Sequence, residues 1–285
     1  MHPTAPFVTG LSFPEGPVVL PDGTLVFTEI AGGRLSAWTS ADGVQLLATT
    51  AGGPNGATLA RDGTIFVTQN GGAAGGGAPA IAGIQRIDPD GSVSTVITEI
   101  NGVQLDAPND LAFGPDGRLY FTDPRHGPDA PIRKNGRLYA YDTQSGQGEL
   151  LIELGPDYPN GIGFLSDGTL VWTESFSRRV MRWTAEGPAL IVELPERHFP
   201  DGFCVGADDR LYVASTYGHC INVIDVVDVI EKNNGGAIVE QLPCADGMPT
   251  NCCFLGTDLI VTESRHGTLW RYQIGTEGLA LNQGA

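Results

Sequence analysis

Six copies of one local pattern divide this chain, and they limit its fold more than any other feature. Each copy runs proline, one polar residue, a short apolar strand, an Asp-Gly type of turn, and a second strand ending near Thr-Glu. The copies begin at Pro14, Pro54, Pro108, Pro159, Pro200 and Pro249. Their starts lie 40 to 54 residues apart, which is typical of propeller blades and longer than most solenoid repeats.

The first copy predicts the strands of one blade. We expect strands over Gly16–Leu20, Thr24–Glu29, Arg34–Trp38 and Val44–Ala48, separated by turns such as Asp22-Gly23. The 40 glycines and 20 prolines suit a chain with many tight turns. Four antiparallel strands repeated six times predict an all-β fold, a six-bladed β-propeller, as one domain over residues 1–285.

The last blade must also close the ring. Pro249–Glu263 and Thr268–Ile274 predict three of its strands, with a weak fourth at Gly278–Asn282, while Phe7–Leu11 is placed to complete the outer edge. Within the fifth copy, the β-branched stretch Ile221–Glu231 predicts a strand.

Composition limits the partners and the compartment. The formal charge is −17 and basic stripes are absent, so we expect no nucleic-acid partner. Because no apolar run is long enough to span a bilayer and the first residues do not resemble a signal peptide, we expect no membrane partner and a cytoplasmic location. The five cysteines are expected to be reduced packing residues. The protein is expected to be a monomer or a small homo-oligomer.

The residue after each proline varies, and we call this position the slot. The six slots hold Glu15, Asn55, Asn109, Asn160, Asp201 and Thr250. Near the axis of a propeller, the acids and amides at four of these slots would direct oxygen donors and two negative charges at one point. Such ligands suit calcium, magnesium or manganese better than zinc. The alternative is that Asn, Asp and Pro only cap turns.

The segments PEGP, PND, PNGI and PDGF, in this order and at these blade intervals, resemble the gluconolactonase/regucalcin (senescence marker protein) family over essentially the whole chain. The resemblance implies that Glu15, Asn160 and Asp201 bind one divalent metal ion and that Asn109 lies beside it. It also implies a lactonase in which Asp201 helps to activate water, so Asp201 and Asn109 are the expected catalytic residues. Calcium is the expected ion, with magnesium, manganese and zinc as alternatives.

Two departures from related propellers affect the expected substrate and metal content. Regucalcin has a sugar-binding arginine two places before the third-blade Asn, where this chain has Ala107. We therefore expect a lactone or ester less polar than gluconolactone. The residues three places after the slots form no carboxylate cage, so we expect no second metal of the type found in diisopropylfluorophosphatase.

Loops that follow the second strands should form the walls of the pocket. Arg125-His126-Gly127 and Arg265-His266-Gly267 repeat one tripeptide there, and each is either a substrate clamp or a solvent-facing turn with local ion pairs. The expected substrate-binding residues are Asn109, Asn55, Arg125, His126, His198 and Tyr217. The glycine-rich segment Asn70–Gly83 is either a lid or an idle insertion.

The expected reaction is the opening of a lactone by water at a metal site. Two alternatives stay open at this point. One is a different reaction on the same metal, namely phosphotriester hydrolysis, a lyase or an isomerase reaction. The other is a non-catalytic propeller that binds calcium or a protein partner.

Overall fold

The computed structural model describes residues 5–226 and 235–284, and its regular elements there are all β-strands. Six small antiparallel sheets follow one another along the chain. The predicted all-β, six-bladed propeller is therefore confirmed. No described segment forms a helix that would be able to cross a membrane.

The strands fall into six blades and one small hairpin. The first three blades contain β1 (Pro14–Val19), β2 (Leu25–Glu29), β3 (Arg34–Thr39), β4 (Gly43–Thr49); β5 (Pro54–Leu59), β6 (Ile65–Gln69), β7 (Gly83–Ile87), β8 (Val93–Ile97); and β11 (Leu111–Phe113), β12 (Leu119–Asp123), β13 (Arg137–Tyr141), β14 (Gly148–Glu153). Between the second and third blades lies the hairpin β9 (Glu99–Ile100) and β10 (Val103–Gln104). The other blades contain β15 (Pro159–Phe164), β16 (Leu170–Glu174), β17 (Arg179–Thr184), β18 (Gly187–Glu193); β19 (Pro200–Val205), β20 (Leu211–Ser215), β21 (Cys220–Asp225), β22 (Ala237–Pro243); and β23 (Pro249–Leu255), β24 (Asp258–Glu263), β25 (Thr268–Gln273).

The predicted strands of the first blade agree with the structure to within two residues. The main difference is that β1 begins at Pro14, so the slot lies inside the strand and not before it. The strand predicted over Ile221–Glu231 is observed as β21, which ends at Asp225. Residues 227–234 lie outside the described part of the chain.

Ring closure uses the N-terminal segment, as predicted. The amide of Phe7 donates to the carbonyl of Leu269 (3.0 Å), and the amide of Leu269 donates to Val8 (3.0 Å), so this segment pairs with the outer side of β25. The prediction that Gly278–Asn282 forms a fourth strand of the last blade is wrong. Gly278 instead pairs with Gly206, at the end of the fifth blade's first strand, because the outer edge of β25 is already taken.

The apolar core consists of six clusters, each shared between two neighbouring blades. Trp172, for example, is fully buried in the cluster between the third and fourth blades. Phe27 and Leu269 are fully buried in the cluster between the first and last blades. Because each blade buries its faces only against its neighbours, the ring fixes where the six first strands, and hence the six slots, meet.

Candidate metal and catalytic centre

The slots coincide with irregularities in the first strands. In five blades the strand register shifts directly after the proline or the slot, as between Glu15 and Val18 in β1. In the third blade, Asn109 precedes β11 instead. A β-bulge bends the strand and redirects a side chain. In these five blades the slot side chain therefore need not follow the regular alternation of side-chain directions along the strand.

Four of the blades also fix the slot of the next blade through a buried threonine. The hydroxyl of Thr28 donates to the carbonyl of Asn55 (2.6 Å), and that of Thr173 donates to the carbonyl of Asp201 (2.8 Å). Thr68 and Thr122 make the same bond to the slots Asn109 and Asn160. The repeated threonine therefore positions the slot backbone. The fifth blade has Ala214 at this place.

The residue after this threonine holds the loop that leads into a slot. Glu29 accepts a hydrogen bond from the amide of Ser12 (2.6 Å), and Glu263 accepts one from the amide of Met248 (2.8 Å). Asp123 accepts bonds from Asp106 and Ala107 (3.0 and 2.9 Å). These buried carboxyls have backbone partners, so the structure explains them by loop anchoring.

Two polar residues that the sequence interpretation missed lie directly below the slots. The amide of Asn251 donates to Glu15 (2.9 Å) and to Asp110 (3.2 Å). Both carboxyls are buried, at 3% and 7% exposure. A signal was present in the sequence: the residue after the slot is glycine in four blades, and only Asp110 and Asn251 break that rule.

Glycine at two of the other four positions makes room for these side chains. A Cβ at Gly56 would lie 2.1 Å from the Asp110 carboxylate, and a Cβ at Gly202 would lie 2.1 Å from the Asn251 amide carbon. These contacts are far too short for an alanine. The first strands therefore come together closely enough for side chains of different blades to meet.

Burial raises the pKa of Glu15 to about 7, although the amides of Gly16 and Asn251 lower it. Burial, together with the charge of Glu15, also raises the pKa of Asp110 well above its usual range. Burial and then the charges of Glu15 and Asp110 do the same to the pKa of Asp201. The three carboxyls thus belong to one electrostatic group.

Asp201 has the greatest solvent access of the slot residues, being partly exposed where the other five are buried. Hydrogen bonds from the Asn160 side chain and from the amide of Gly202 favour its charged form. The amide nitrogen of Asn160 also donates to Ser175 (3.3 Å). The side-chain oxygen Oδ1 of Asn160 is then available to a ligand.

Tyr158 is a further member of this group that the sequence did not reveal. Its buried hydroxyl interacts with the Asn109 side chain and senses the charge of Asp201, and burial, the larger effect, raises its pKa far above the usual value. The hydroxyl is therefore neutral at physiological pH. Tyr158 has a positive φ of 59°, as does Phe13 at 60°, and each directly precedes the proline of a slot. Such strain in bulky residues is typical of functional sites.

The carboxylate and amide oxygens of this group suit a hard divalent cation. None of the hydrogen bonds or charges that act on Glu15, Asp110 and Asp201 comes from a Lys or Arg of the described residues. Buried carboxylates without a cation are costly, and calcium prefers carboxylate and amide oxygens. No three Asp, Glu, His or Cys side chains in the described ranges converge closely enough to hold a metal by themselves, so the amides would have to contribute.

The predicted wall residues have diverse environments. Arg125 donates to Asp106 (3.0 Å) and therefore already has a carboxylate partner. His198 contacts Asn222 (3.3 Å between Nδ1 and Nδ2), and Tyr217 is half exposed with its ring against Phe199. Their roles in substrate binding stay predictions, as does that of Asn55, which is buried.

The two Arg-His-Gly copies differ strongly. His126 is buried, and its ring packs near Tyr158 (5.3 Å between centroids) and Phe176 (6.2 Å). His266 is exposed and its Nε2 lies 3.2 Å from Asp246. His266 thus lies on a solvent-facing turn, with a carboxylate beside its ring.

The glycine-rich segment lies on the Arg125–Gly127 loop. A Cβ at Gly127 would be 2.0 Å from the carbonyl oxygen of Ala73, so the two loops are in close contact. A cavity of about 450 Å³ also lies along the first strands, lined by Asp110 and Asn251 together with apolar side chains and residues 277–282. None of the slot residues or of the predicted wall loops lines this cavity.

A closed ring of six blades with buried acids and amides near its centre defines a six-bladed propeller with a candidate cation site. The chain belongs to the SMP-30/gluconolactonase/LRE-like region family, which it matches over residues 13–277.

Individual relatives share 18–28% of their residues with this chain over the matched regions. The chain is 28% identical to a gluconolactonase of Zymomonas mobilis over 188 residues, which are 62% of this chain and 52% of that protein. It is also 28% identical to strictosidine synthase-like protein 13 of Arabidopsis thaliana, over 48% of this chain and 37% of the relative. The chain thus spans about half or less of the curated relatives it matches. Regucalcin of Agrobacterium tumefaciens, described as calcium-binding, has a similar structure with a TM-score of 0.77 and 18% identity over 97% of this chain and 95% of that one.

Proposed function

We propose that this protein is a divalent-metal-dependent lactonase, with calcium as the expected ion. The main support is the position of three carboxyls: Asn251 donates to both Glu15 and Asp110, and burial, followed by the charges of these two, raises the pKa of Asp201. Family membership and the gluconolactonase relative support the lactone as the substrate class.

Glu15, Asn160 and Asp201 would hold the metal, and Asn109 would orient the substrate or the attacking water. When bound, the ion supplies positive charge that polarises a carbonyl and makes water more acidic. Asp201 takes a proton from the water as its oxygen bonds to the carbonyl carbon. The ring C–O bond then breaks, and the released alkoxide receives the proton that Asp201 took from the water, giving a hydroxy acid.

Asp201→Asn tests the proposed base, because it keeps the shape of the side chain while removing its charge. We expect a loss of kcat of about a hundredfold or more, in the range of general base catalysis, measured on a panel of aliphatic, aromatic and sugar lactones. Calcium affinity should be measured on the same variant by calorimetry, since loss of the ion would also lower kcat. An unchanged kcat would remove Asp201 from the mechanism.

The same panel separates the alternatives. Activity on phosphotriesters, or product formation by elimination, with none on lactones would indicate different chemistry at this site. Calcium binding without turnover of any substrate would favour a non-catalytic propeller, since the similar regucalcin is described as calcium-binding.

A further inference from the structure

His126 carries a buried nitrogen that has no partner in the described part of the chain. Its Nδ1 lies 2.7 Å from the carbonyl oxygen of Gly127. Since a carbonyl can only accept, Nδ1 must carry the proton. In a neutral imidazole the other nitrogen, Nε2, is then an acceptor, and it has no hydrogen-bond partner within residues 5–226 and 235–284 although His126 is only 7% exposed.

The position of the ring is fixed on several sides. The Nδ1 bond holds one edge, and close contact between Gly127 and Ala73 leaves the loop little room to move. The ring planes of His126 and Phe176 are nearly parallel, at 16°, and Arg133 covers Phe176 at 3.8 Å from its centroid. Nε2 lies on the ring edge away from the Gly127 carbonyl, and a fixed, buried acceptor of this kind is costly unless a donor reaches it.

Tyr158 connects this nitrogen with the candidate centre. Its ring lies 5.3 Å from that of His126 and 5.1 Å from that of Phe176. Its hydroxyl hydrogen-bonds with the Asn109 side chain. The three aromatic rings therefore form a wall that begins at the proposed reaction centre and contains one acceptor.

We propose that His126 Nε2 and the Tyr158 hydroxyl form a subsite that binds one hydrogen-bond donor of the substrate. This donor would lie beside the lactone carbonyl, and the wall around the subsite is otherwise apolar. The preferred substrate class is then an apolar lactone with a single O–H or N–H on the carbon next to the carbonyl. Polyhydroxylated sugar lactones and unsubstituted lactones would both be poorer substrates. This inference rests on the proposed lactonase function and deepens it.

The wall gives the physical reason for this preference. A site built to bond a donor strongly disfavours an analogue that lacks it, because the buried acceptor stays unpaired. Further hydroxyls would be placed against the ring faces of Tyr158 and Phe176, where they would lose water without gaining partners.

The test compares four lactones: γ-butyrolactone, its α-hydroxy and α-acetamido derivatives, and glucono-δ-lactone. We expect kcat/KM for at least one α-substituted lactone to exceed that for γ-butyrolactone and for glucono-δ-lactone by about tenfold or more. The better of the two derivatives identifies O–H or N–H as the donor. Equal kcat/KM on γ-butyrolactone and both derivatives, or preference for the sugar lactone, would overturn the proposal.

Variants assign the preference to these side chains. His126→Phe keeps an aromatic ring but removes the acceptor, so the ratio of kcat/KM between the preferred derivative and γ-butyrolactone should fall towards one, mainly through KM. His126→Gln returns an acceptor near the Nε2 position and should restore part of the ratio. Tyr158→Phe should lower it. The matched control is His266→Phe, in the exposed copy of the tripeptide, which should leave the ratio unchanged. A ratio that survives His126→Phe would contradict the subsite.

A binding measurement separates this inference from the proposed function. In protein with ¹⁵N-labelled histidine, the Nε2 resonance of His126 should shift on titration with 2-hydroxycyclopentanone and not with cyclopentanone, neither of which is a lactone. If no lactone is hydrolysed but this shift occurs, the subsite stands and the lactonase proposal fails. Equal shifts with both ketones, or none with either, would contradict the subsite.

Discussion

At the scale of single residues, the slot prediction selected two carboxyls whose charges interact, Glu15 and Asp201, together with Asn160, which donates to Asp201. It identified Glu15, Asn109, Asn160 and Asp201 because they vary within an otherwise repeated frame. Asp110 and Asn251 were missed although glycine occupies the equivalent place in the other blades. Tyr158 had no signal, since its contact with Asn109 depends on how the fourth blade sits beside the third.

The raised pKa of Glu15 predicts an unusual dependence of stability on pH. Burial raises this pKa from 4.5 to about 7, so between these values the folded state binds more protons than the unfolded state. The contribution of Glu15 to the free energy of unfolding is therefore complete below about pH 4.5 and is lost as pH rises through about 7.

Comparison with Glu15→Gln isolates this effect, because glutamine does not titrate. Without divalent metal, the melting temperature of the wild type minus that of the variant should fall between pH 5 and 8, by calorimetry. With calcium at pH 8 the difference should recover, since the ion would bind the carboxylate. A difference that is flat with pH would show that Glu15 has an ordinary pKa.

At the scale of elements, the turns and strand ends were predictable, but the bulges were not. Turns such as Asp22-Gly23 marked the strand ends of the first blade to within two residues. The placement of Glu15 inside β1 could not be read from the sequence, since a shift in register depends on the partner strand. The repeated Thr-Glu pair was visible in the sequence. The hydrogen bond made by its threonine could not be predicted, because the acceptor lies in the neighbouring blade.

The hydroxyl of Thr173 is expected to support both the stability of the fold and the binding of calcium, and the two effects can be measured separately. Thr173→Val removes the hydroxyl that binds the carbonyl of Asp201 (2.8 Å) and leaves that carbonyl without this partner. We expect a loss of about 1–3 kcal/mol in the free energy of unfolding, together with weaker calcium binding, because Asp201 would be less well positioned. Denaturant unfolding and calorimetry measure the two effects.

Thr28→Val is the matched control, since Thr28 makes the same bond to Asn55 (2.6 Å), a slot without a proposed role as a ligand. It should lose similar stability while keeping its calcium affinity. Equal losses of calcium affinity in both variants would indicate that the whole ring, and not the individual slot, determines the site.

At the scale of the whole molecule, ring closure creates part of the site. Asn251 and Glu15, which share a hydrogen bond of 2.9 Å, are 236 positions apart in the chain. They meet only because the N-terminal segment pairs with the last blade. The closing role of Phe7–Leu11 was predictable from the need to complete the outer edge, whereas the path of Gly278 was not, because it depends on contacts with the fifth blade.

A closed ring predicts that damage at the closing interface is shared by all blades. Leu269 is fully buried between the last and first blades, and Leu269→Ala should cost about 2–5 kcal/mol. Leu211→Ala makes the same change between the fourth and fifth blades, where Leu211 is also fully buried. If the ring unfolds as one unit, both variants should show one calorimetric transition at a lower temperature, with similar hydrogen-exchange rates in all blades. An open array of repeats would behave differently, because each blade depends only on its neighbours. A second transition, or faster exchange confined to the first and last blades of Leu269→Ala, would therefore show that closure does not couple the ring.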